Sequence, residues 1–320
     1  MAARFWLKMK TKVLKRTEIK EAAAIIKRGG LVAFPTETVY GLGANALDAK
    51  AVAKIFAAKR RPADNPMIVH VSAVEQVVPL VQGVPKKAEL LMRRFWPGPL
   101  SIVFPKSRRV PDIVTARLDT VVIRMPSNPV ARELIRKSGV PIAAPSANSS
   151  GRPSPTRAGH VIEDLNGRIE AVIDGGSCQK GLESTVIDVR TAVPTILRLG
   201  SLPIEKIEKV IGRVRIAGKK SRVRSPGMKY RHYAPKAELF LIEGTATRVA
   251  ARVRSLQKAL EKEGRKVKVL SKAELSAHSL YERLRHTEAD VLITGAVEEK
   301  GLGRAVMDRL RRAASKIIKK

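Results

Sequence analysis

Between residues 17 and 211, short apolar runs rich in β-branched residues alternate with amphipathic stretches, and that alternation restricts the chain to an α/β architecture. Thr17 is placed to cap a helix running to Arg28, and Gly29-Gly30 ends it. Residues 31–34 read as a buried strand. Asp48 caps the next helix, in which Val52, Ile55 and Phe56 share one face at i, i+3, i+4 spacing. Residues 67–71, 101–104 and 121–124 are further strands. Asn128 followed by Pro129 opens a helix in the favoured order, cap then first-turn proline. Strands at 140–144, 171–173, 185–189 and 195–197 complete a sheet-rich domain over residues 1–211.

After Ile211 the composition changes. Residues 212–236 carry Arg213, Arg215, Lys219, Lys220, Arg222, Arg224, Lys229, Arg231 and Lys236 with no acid, and too few apolar side chains to build a core. They read as a basic linker. A second α/β pattern spans 237–320: a strand at 238–242, a helix at 245–263 closed by Gly264, strands at 267–270 and 291–294, and a helix from about Leu302 to Ile318. This β-α-β-α order is that of a small Rossmann-like unit.

At 320 residues the chain is long enough for one large domain and a smaller one. Lys and Arg total 62 against 29 Asp and Glu, a net charge of +33, so the surface attracts polyanions, whether nucleotide, tRNA or anionic lipid. No uncharged apolar run is long enough to span a bilayer, and the first ten residues are too charged for a secretory signal. A cytoplasmic location with no membrane contact is the resulting expectation. The single Cys178 excludes an internal disulfide and a multi-cysteine metal site, and reads as a small residue in a reduced protein rather than a catalytic thiol.

Three segments are too specific for packing alone. In 34–43, Phe-Pro-Thr-Glu-Thr-Val-Tyr-Gly-Leu-Gly, a strand runs into a turn bearing hydroxyls and glycines, and the carboxyl end of a strand is where α/β sheets bind ligands. In 59–66, Lys-Arg-Arg-Pro-Ala-Asp-Asn-Pro, cations suited to phosphate follow a helix, although the helix dipole alone would also favour them there. His70 follows in a strand. In 141–148, Pro-Ile-Ala-Ala-Pro-Ser-Ala-Asn, a strand ends in a hydroxyl and an amide side by side, held without regular structure by prolines.

Together with Trp-Pro-Gly-Pro-Leu at 96–100, Leu-Asp-Thr-Val-Val-Ile-Arg-Met-Pro at 118–126, Gly-Leu-Glu-Ser-Thr-Val-Ile-Asp-Val at 181–189 and Leu-Arg-Leu-Gly at 197–200, these segments resemble the YrdC/Sua5 family of threonylcarbamoyl-AMP synthases. Residues 225–235 and 301–310 resemble the linker and the end of the second domain in its two-domain Sua5 branch. The resemblance implies a YrdC-like twisted mixed sheet with helices, a linker covering the active site, and a small Rossmann-like Sua5 domain.

It also implies an activity: L-threonine, bicarbonate and ATP give threonylcarbamoyl-AMP, diphosphate and water, an adenylyl transfer that opens tRNA threonylcarbamoyl-adenosine synthesis. Lys59, Arg61, Ser146 and Asn148 would bind the nucleotide as the catalytic set, joined by Asn65, Thr120, Ser154 and Arg198. Threonine would meet Thr36 or Thr38, His70, Arg124, the backbone at Ala144, and Ser184. Arg124 suits a carboxylate, because its guanidinium fork matches it in two bonds. Alternate positions usually point opposite ways, which leaves the choice between Thr36 and Thr38 open. Tyr230 or Tyr233 would close over the site. Mg²⁺ would travel with the ATP phosphates and water, so no carboxylate cluster is required. Transient contact with tRNA or with the transferase complex is a further implied partnership. Two other readings exist: a carbamoyl-adenylate former like that in hydrogenase-maturation proteins, whose zinc-finger cysteines this chain lacks, and a non-catalytic RNA-binding factor using the same basic fold.

Overall fold

The computed structural model describes residues 10–218 and 233–319, and these divide into two compact units. The first comprises residues up to Ser150 together with the stretch from Ser154; the second takes Gly151–Pro153 and the residues from Tyr233 onward. Among the described residues no helix is long and apolar enough to cross a membrane.

Strands of the first unit are β1 (Lys12–Leu14), β2 (Val32–Phe34), β3 (Gly41–Asn45), β4 (Ile68–His70), β5 (Leu100–Pro105), β6 (Thr120–Arg124), β7 (Ile142–Ala143), β8 (Ala171–Ile173), β9 (Thr185–Asp188), β10 (Thr195–Arg198) and β11 (Arg215–Ile216). They form one mixed sheet in the order β1-β8-β2-β3-β7-β4-β6-β5-β9-β10-β11. Its helices are α1 (Ile19–Lys27), α2 (Ala49–Lys59), α3 (Lys86–Phe95), α4 (Asp112–Thr115), α5 (Pro129–Ser138), α6 (Ala158–Leu165) and α7 (Ile204–Ile211).

Local chemistry sets the helix ends that matter to the site. Asp48 accepts hydrogen bonds from Lys50 N and Ala51 N at the start of α2, and Arg60 ends it in the left-handed conformation at φ 52°. Asn128 caps α5 through Val130 N and Ala131 N, Pro129 fills the first turn, and Gly139 closes it at φ 67°. One large apolar core includes Val69, Ile102, Ile123, Ile187 and Ile196 from the central strands. The alternate residues Ile68, Val103, Val122, Val186 and Leu197 form a smaller cluster. Because neighbours along a strand point to opposite faces, this cluster lies on the other face of the sheet.

Several expectations are corrected. Thr17 does not cap α1: it lies in a 3₁₀ turn, Arg16–Glu18, and the helix starts at Ile19. The carboxylate of Glu18 is taken up by Lys15 N at 2.7 Å, which fixes that turn instead. Residues 41–45 form β3 rather than a turn. They pair with β2 and β7, and glycine is needed because a Cβ on Gly43 would lie 2.7 Å from Ile142 Cγ2 and 2.8 Å from Phe34 Cε1. Within the basic segment, β11 joins the sheet edge beside β10. The rest of that segment, 219–232, lies outside the described residues.

The second unit has β12 (Glu238–Glu243), α8 (Ala246–Lys262), β13 (Val267–Leu270), α9 (Leu280–Arg285), β14 (Val291–Gly295), α10 (Gly303–Ala313) and β15 (Lys316–Lys319). Its strands are all parallel, in the order β13-β14-β12-β15. The last helix therefore stops at Ala313 and not near Ile318. Ser315 N bonds Leu239 O at 2.8 Å, and the β-branched pair Ile317-Ile318 extends the sheet along the free edge of β12.

Gly200 ties the sheet to the site that follows. A Cβ there would lie 2.5 Å from Glu183 O and closer still to Ser184 C and Thr185 N, all of them backbone atoms. We expect Gly200→Ala to destabilise the protein by about 1–3 kcal/mol, as overpacking against a fixed main chain does. A lower urea midpoint at unchanged slope checks it.

Candidate active site

Register across the central strands places the candidate residues in a row. His70 pairs with Arg124 across β4 and β6, and Arg124 pairs with Ser101 across β6 and β5. Residues opposite one another in a ladder point to the same face, so these three side chains stand together on the face of the smaller apolar cluster. Ser101 Oγ lies 2.7 Å from Ser184 Oγ. Arg198 donates to Ser184 O from Nε at 3.1 Å and to Ser184 Oγ from Nη2 at 3.0 Å. His70, Arg124, Ser101 and Ser184 are all buried.

Arg124 is the hub. Its Nη2 lies 2.7 Å from Glu37 Oε1, its Nη1 donates to Thr38 Oγ1 at 2.9 Å, and its Nε donates to Gly98 O at 3.3 Å. The other oxygen of Glu37 accepts from Ser127 N at 3.2 Å. Both charges are almost wholly buried, at 4% and 2% side-chain exposure. Glu37, Ser101 and the carbonyl of Gly98 escape a reading of the sequence alone. Glu37 sits inside the Thr-Glu-Thr turn without a partner in its vicinity along the chain, and Ser101 looks like an ordinary strand residue.

The turn settles one ambiguity of geometry. Thr36 and Thr38 are not in a strand, and their hydroxyls meet at 2.8 Å. Thr36 Oγ1 donates to Val39 O at 2.6 Å, which closes the turn, whereas Thr38 Oγ1 faces Arg124.

A second group forms where α2 meets the loop after β7. Leu42 N donates to Pro145 O and Ala147 N to Tyr40 O, both at 2.8 Å, so β3 holds this loop. Lys59, at the end of α2, is 2% exposed and is not a solvated helix-end cation. Its Nζ donates to Ser146 O at 2.5 Å and to Asn148 O. Ser146 Oγ donates to Asn148 Oδ1 at 2.5 Å. Arg61 Nη2 donates to Asn65 O at 3.1 Å and Pro66 O at 3.0 Å. Ala144 N donates to Ile68 O at 2.9 Å, beside His70.

The other expected residues have their own surroundings. Thr120 opens β6, on the same face as Arg124 but four residues away, about 13 Å along a strand. Ser154 Oγ donates to Glu183 Oε1 at 2.5 Å. Tyr230 lies outside the described residues. Tyr233 belongs to the second unit, at φ 67°, stacked on Tyr281 at 5.4 Å with the Arg309 guanidinium 5.1 Å from its ring.

Asn65 Oδ1 and His70 Nδ1 are among the buried polar atoms with no hydrogen-bond partner in the described residues. Burial, with Arg124 and Arg198 nearby, pushes the imidazole of His70 down to about 3, so it is neutral at physiological pH. Burial pushes the Cys178 thiol up to about 12, and it keeps its proton. The arrangement offers fixed cations, hydroxyls and neutral acceptors, groups suited to holding an anion and an amino acid.

The first unit is a mixed-sheet α/β fold whose candidate site brings together buried cations and hydroxyls. Comparison with known proteins supplies the family. Residues 24–200 match the Sua5/YciO/YrdC family model, described as "Telomere recombination", and residues 202–315 match that of the threonylcarbamoyl-AMP synthase C-terminal domain. The chain is 51% identical to threonylcarbamoyl-AMP synthase of Pyrococcus abyssi, over 94% of this chain and 96% of that protein. It is 44% identical to the Bacillus subtilis enzyme of the same name, over 93% of each. The crystal structure of P. abyssi Sua5 complexed with L-threonine superimposes with a TM-score of 0.92 at 49% identity, covering 97% of this chain and 99% of that one. A HypF structure matches at a TM-score of 0.52 and 24% identity, a likeness of fold alone. This chain belongs to the two-domain Sua5 branch of the YrdC/Sua5 family of threonylcarbamoyl-AMP synthases.

Two expectations follow. Glu37→Gln leaves Arg124 as an uncompensated buried charge, and we expect a loss of roughly 3–5 kcal/mol in unfolding free energy, read by urea titration. The imidazole of His70 titrates near 6.5 in an unfolded chain and near 3 in the folded one. Unfolding therefore takes up a proton between those values, and stability falls as pH drops from 6.5 towards 3, by up to about 1.4 kcal/mol per pH unit. His70→Gln should flatten that acid limb in urea midpoints measured from pH 7 to pH 4, with no change in slope above pH 7.

Proposed function

We propose that this chain converts L-threonine, bicarbonate and ATP to threonylcarbamoyl-AMP, diphosphate and water, as a nucleotidyltransferase. The observation that carries this reading is that Asn65 Oδ1 and His70 Nδ1 are buried without a hydrogen-bond partner, His70 standing beside Arg124 across the sheet. Buried acceptors without partners cost free energy unless a ligand supplies donors, and an amino acid and an adenine both do.

Arg124 would take the threonine carboxylate, while Thr38, Ser184 and the backbone near Ala144 position the rest of the molecule. His70, held neutral, accepts a hydrogen bond without adding charge. The nearby cations disfavour the threonine ammonium, which helps it give a proton to solvent; the free amine then adds to bicarbonate, whose hydroxyl leaves as water to give the carbamate. The resulting carbamate oxygen attacks the α-phosphate, forming the new P–O bond as the bond to diphosphate breaks. Lys59, Arg61, Ser146, Asn148, Asn65, Thr120, Ser154 and Arg198 would hold the nucleotide in line for that step, and Tyr230 or Tyr233 would cover it. Positioning and charge neutralisation suffice for such a transfer, which is why no covalent nucleophile is needed.

The Ser146 hydroxyl and Asn148 amide oxygen form an oxygen-only donor set of the kind a hard, largely hydrated cation accepts, so the residues fit Mg²⁺ carried on the phosphates. When bound, Mg²⁺ would neutralise charge on the departing diphosphate. The product is an activated acyl-type adenylate, and its consumer must be an enzyme that passes the threonylcarbamoyl group to a nucleophilic nitrogen, here proposed to be on tRNA.

Diphosphate release from ATP, Mg²⁺ and bicarbonate is expected to depend on L-threonine, with serine much weaker. Lys59→Ala should lower kcat/KM by roughly 10²–10³, the scale of losing one preorganised charge-stabilising donor. Release that is indifferent to threonine, from protein that is folded and binds ATP, would overturn the reading.

A further inference from the structure

The second unit holds a cleft that the chemistry above does not use. It measures about 620 Å³, within the range of small-molecule sites. It opens where β12, β13 and β14 end, beneath the amino-terminal half of α8. The carboxyl end of a parallel sheet is where α/β folds bind small ligands, because the strands stop there while the helices above them begin.

The walls are small and apolar. Ala246, Val249, Ala250 and Val253 line it from α8, facing Val269, Leu270 and Leu275 around the end of β13. Two glycines keep the strand ends open: Gly244 adopts φ 152°, and a Cβ on Gly295 would lie 2.6 Å from Val249 Cγ1. Short side chains on both sides leave a slot suited to a flat ring. The rim is polar and of mixed sign, with the exposed cations Arg254 and Lys272 and the exposed carboxylate of Glu298. The first turn of α8 carries no acid, and the Thr245 side chain makes no cap hydrogen bond, so the amide end of this 17-residue helix adds to the positive side of the rim.

We propose that this cleft binds a nucleoside monophosphate, its base in the slot between α8 and the ends of β13 and β14, its phosphate towards Lys272, Arg254 and the start of α8, and its sugar hydroxyls towards Glu298. All of these residues lie in the second unit, so the site is separate from the adenylate-forming one and does not depend on the reading of that one. An apolar slot with a cationic end discriminates against bare phosphate, which leaves the slot unfilled, and against an uncharged nucleoside, which leaves the cations without a partner.

The test is photolabelling of the full-length protein with 8-azido-AMP, followed by peptide mapping. Labelled peptides are expected to include residues 246–254 or 269–275, and unlabelled AMP should compete. Lys272→Glu and Arg254→Glu are surface changes that leave the core intact, and each should weaken labelling of these peptides by about tenfold, the equivalent of 1.4 kcal/mol. Ala250→Glu, also exposed, should abolish it by filling the slot. Labelling confined to residues 10–218, or labelling of the second unit indifferent to these variants while circular dichroism shows them folded, would overturn the proposal. Competition by inorganic phosphate as strong as by AMP would overturn it too, since the slot would then play no part.

Discussion

The buried ion pair between Glu37 and Arg124 is the interaction on which the first unit's site depends. Arg124 belongs to the middle of the sheet, whereas Glu37 belongs to the turn after β2, four strands away in the order of the sheet. Taking two charges out of water is costly, and the attraction offsets that cost only with near-ideal geometry and further hydrogen bonds. Here the additional bonds are present: Thr38 and Gly98 accept from the guanidinium, and Ser127 N donates to the carboxylate. Each of these partners comes from a different segment. The pair thus fixes where the turn, the strand and the two loops stand relative to one another, and the hydroxyl of Thr38 inherits its position from it.

Main-chain carbonyls take part in holding the other cations of the site. Arg124 has Glu37 as its carboxylate partner, while Lys59 and Arg61 direct N–H groups at backbone carbonyls of Ser146, Asn148, Asn65 and Pro66. Carbonyl dipoles satisfy a cation's hydrogen bonds without cancelling its charge. His70 stays neutral chiefly because it is buried, with Arg124 and Arg198 adding to the effect. Preorganisation of this kind holds the donors ready before the substrate arrives and spares reorganisation at the reacting centre.

Much of the fold is legible from the sequence because the signals are local. The Asp48 and Asn128 caps, the glycine after α5 and the β-branched runs of β6, β8 and β9 each act within a few residues. β3 is hidden because Gly-Leu-Gly carries turn residues whose purpose is close packing against Phe34 and Ile142, a contact between distant parts of the chain. β15 is hidden because two isoleucines after a helical pattern do not announce whether an open strand edge awaits them. Within the site, residue types are legible and their conjunctions are not. The motif resemblance points to Lys59, His70, Arg124 and Ser184, yet Glu37 and Ser101 become visible only once sheet register puts them beside Arg124 and Ser184.

Register also explains why the site could not be assembled from spacing. A strand that slipped by one residue would turn His70, Arg124 or Ser101 into the large apolar core and bring Val69, Ile123 or Ile102 onto the ligand face. That slip would bury an unpaired arginine or imidazole and expose isoleucine, and the two penalties act in the same direction. The polar row and the apolar core therefore specify each other's register: the packing that stabilises the sheet also aligns the cations, and the ion pair that completes the site penalises the misaligned sheet.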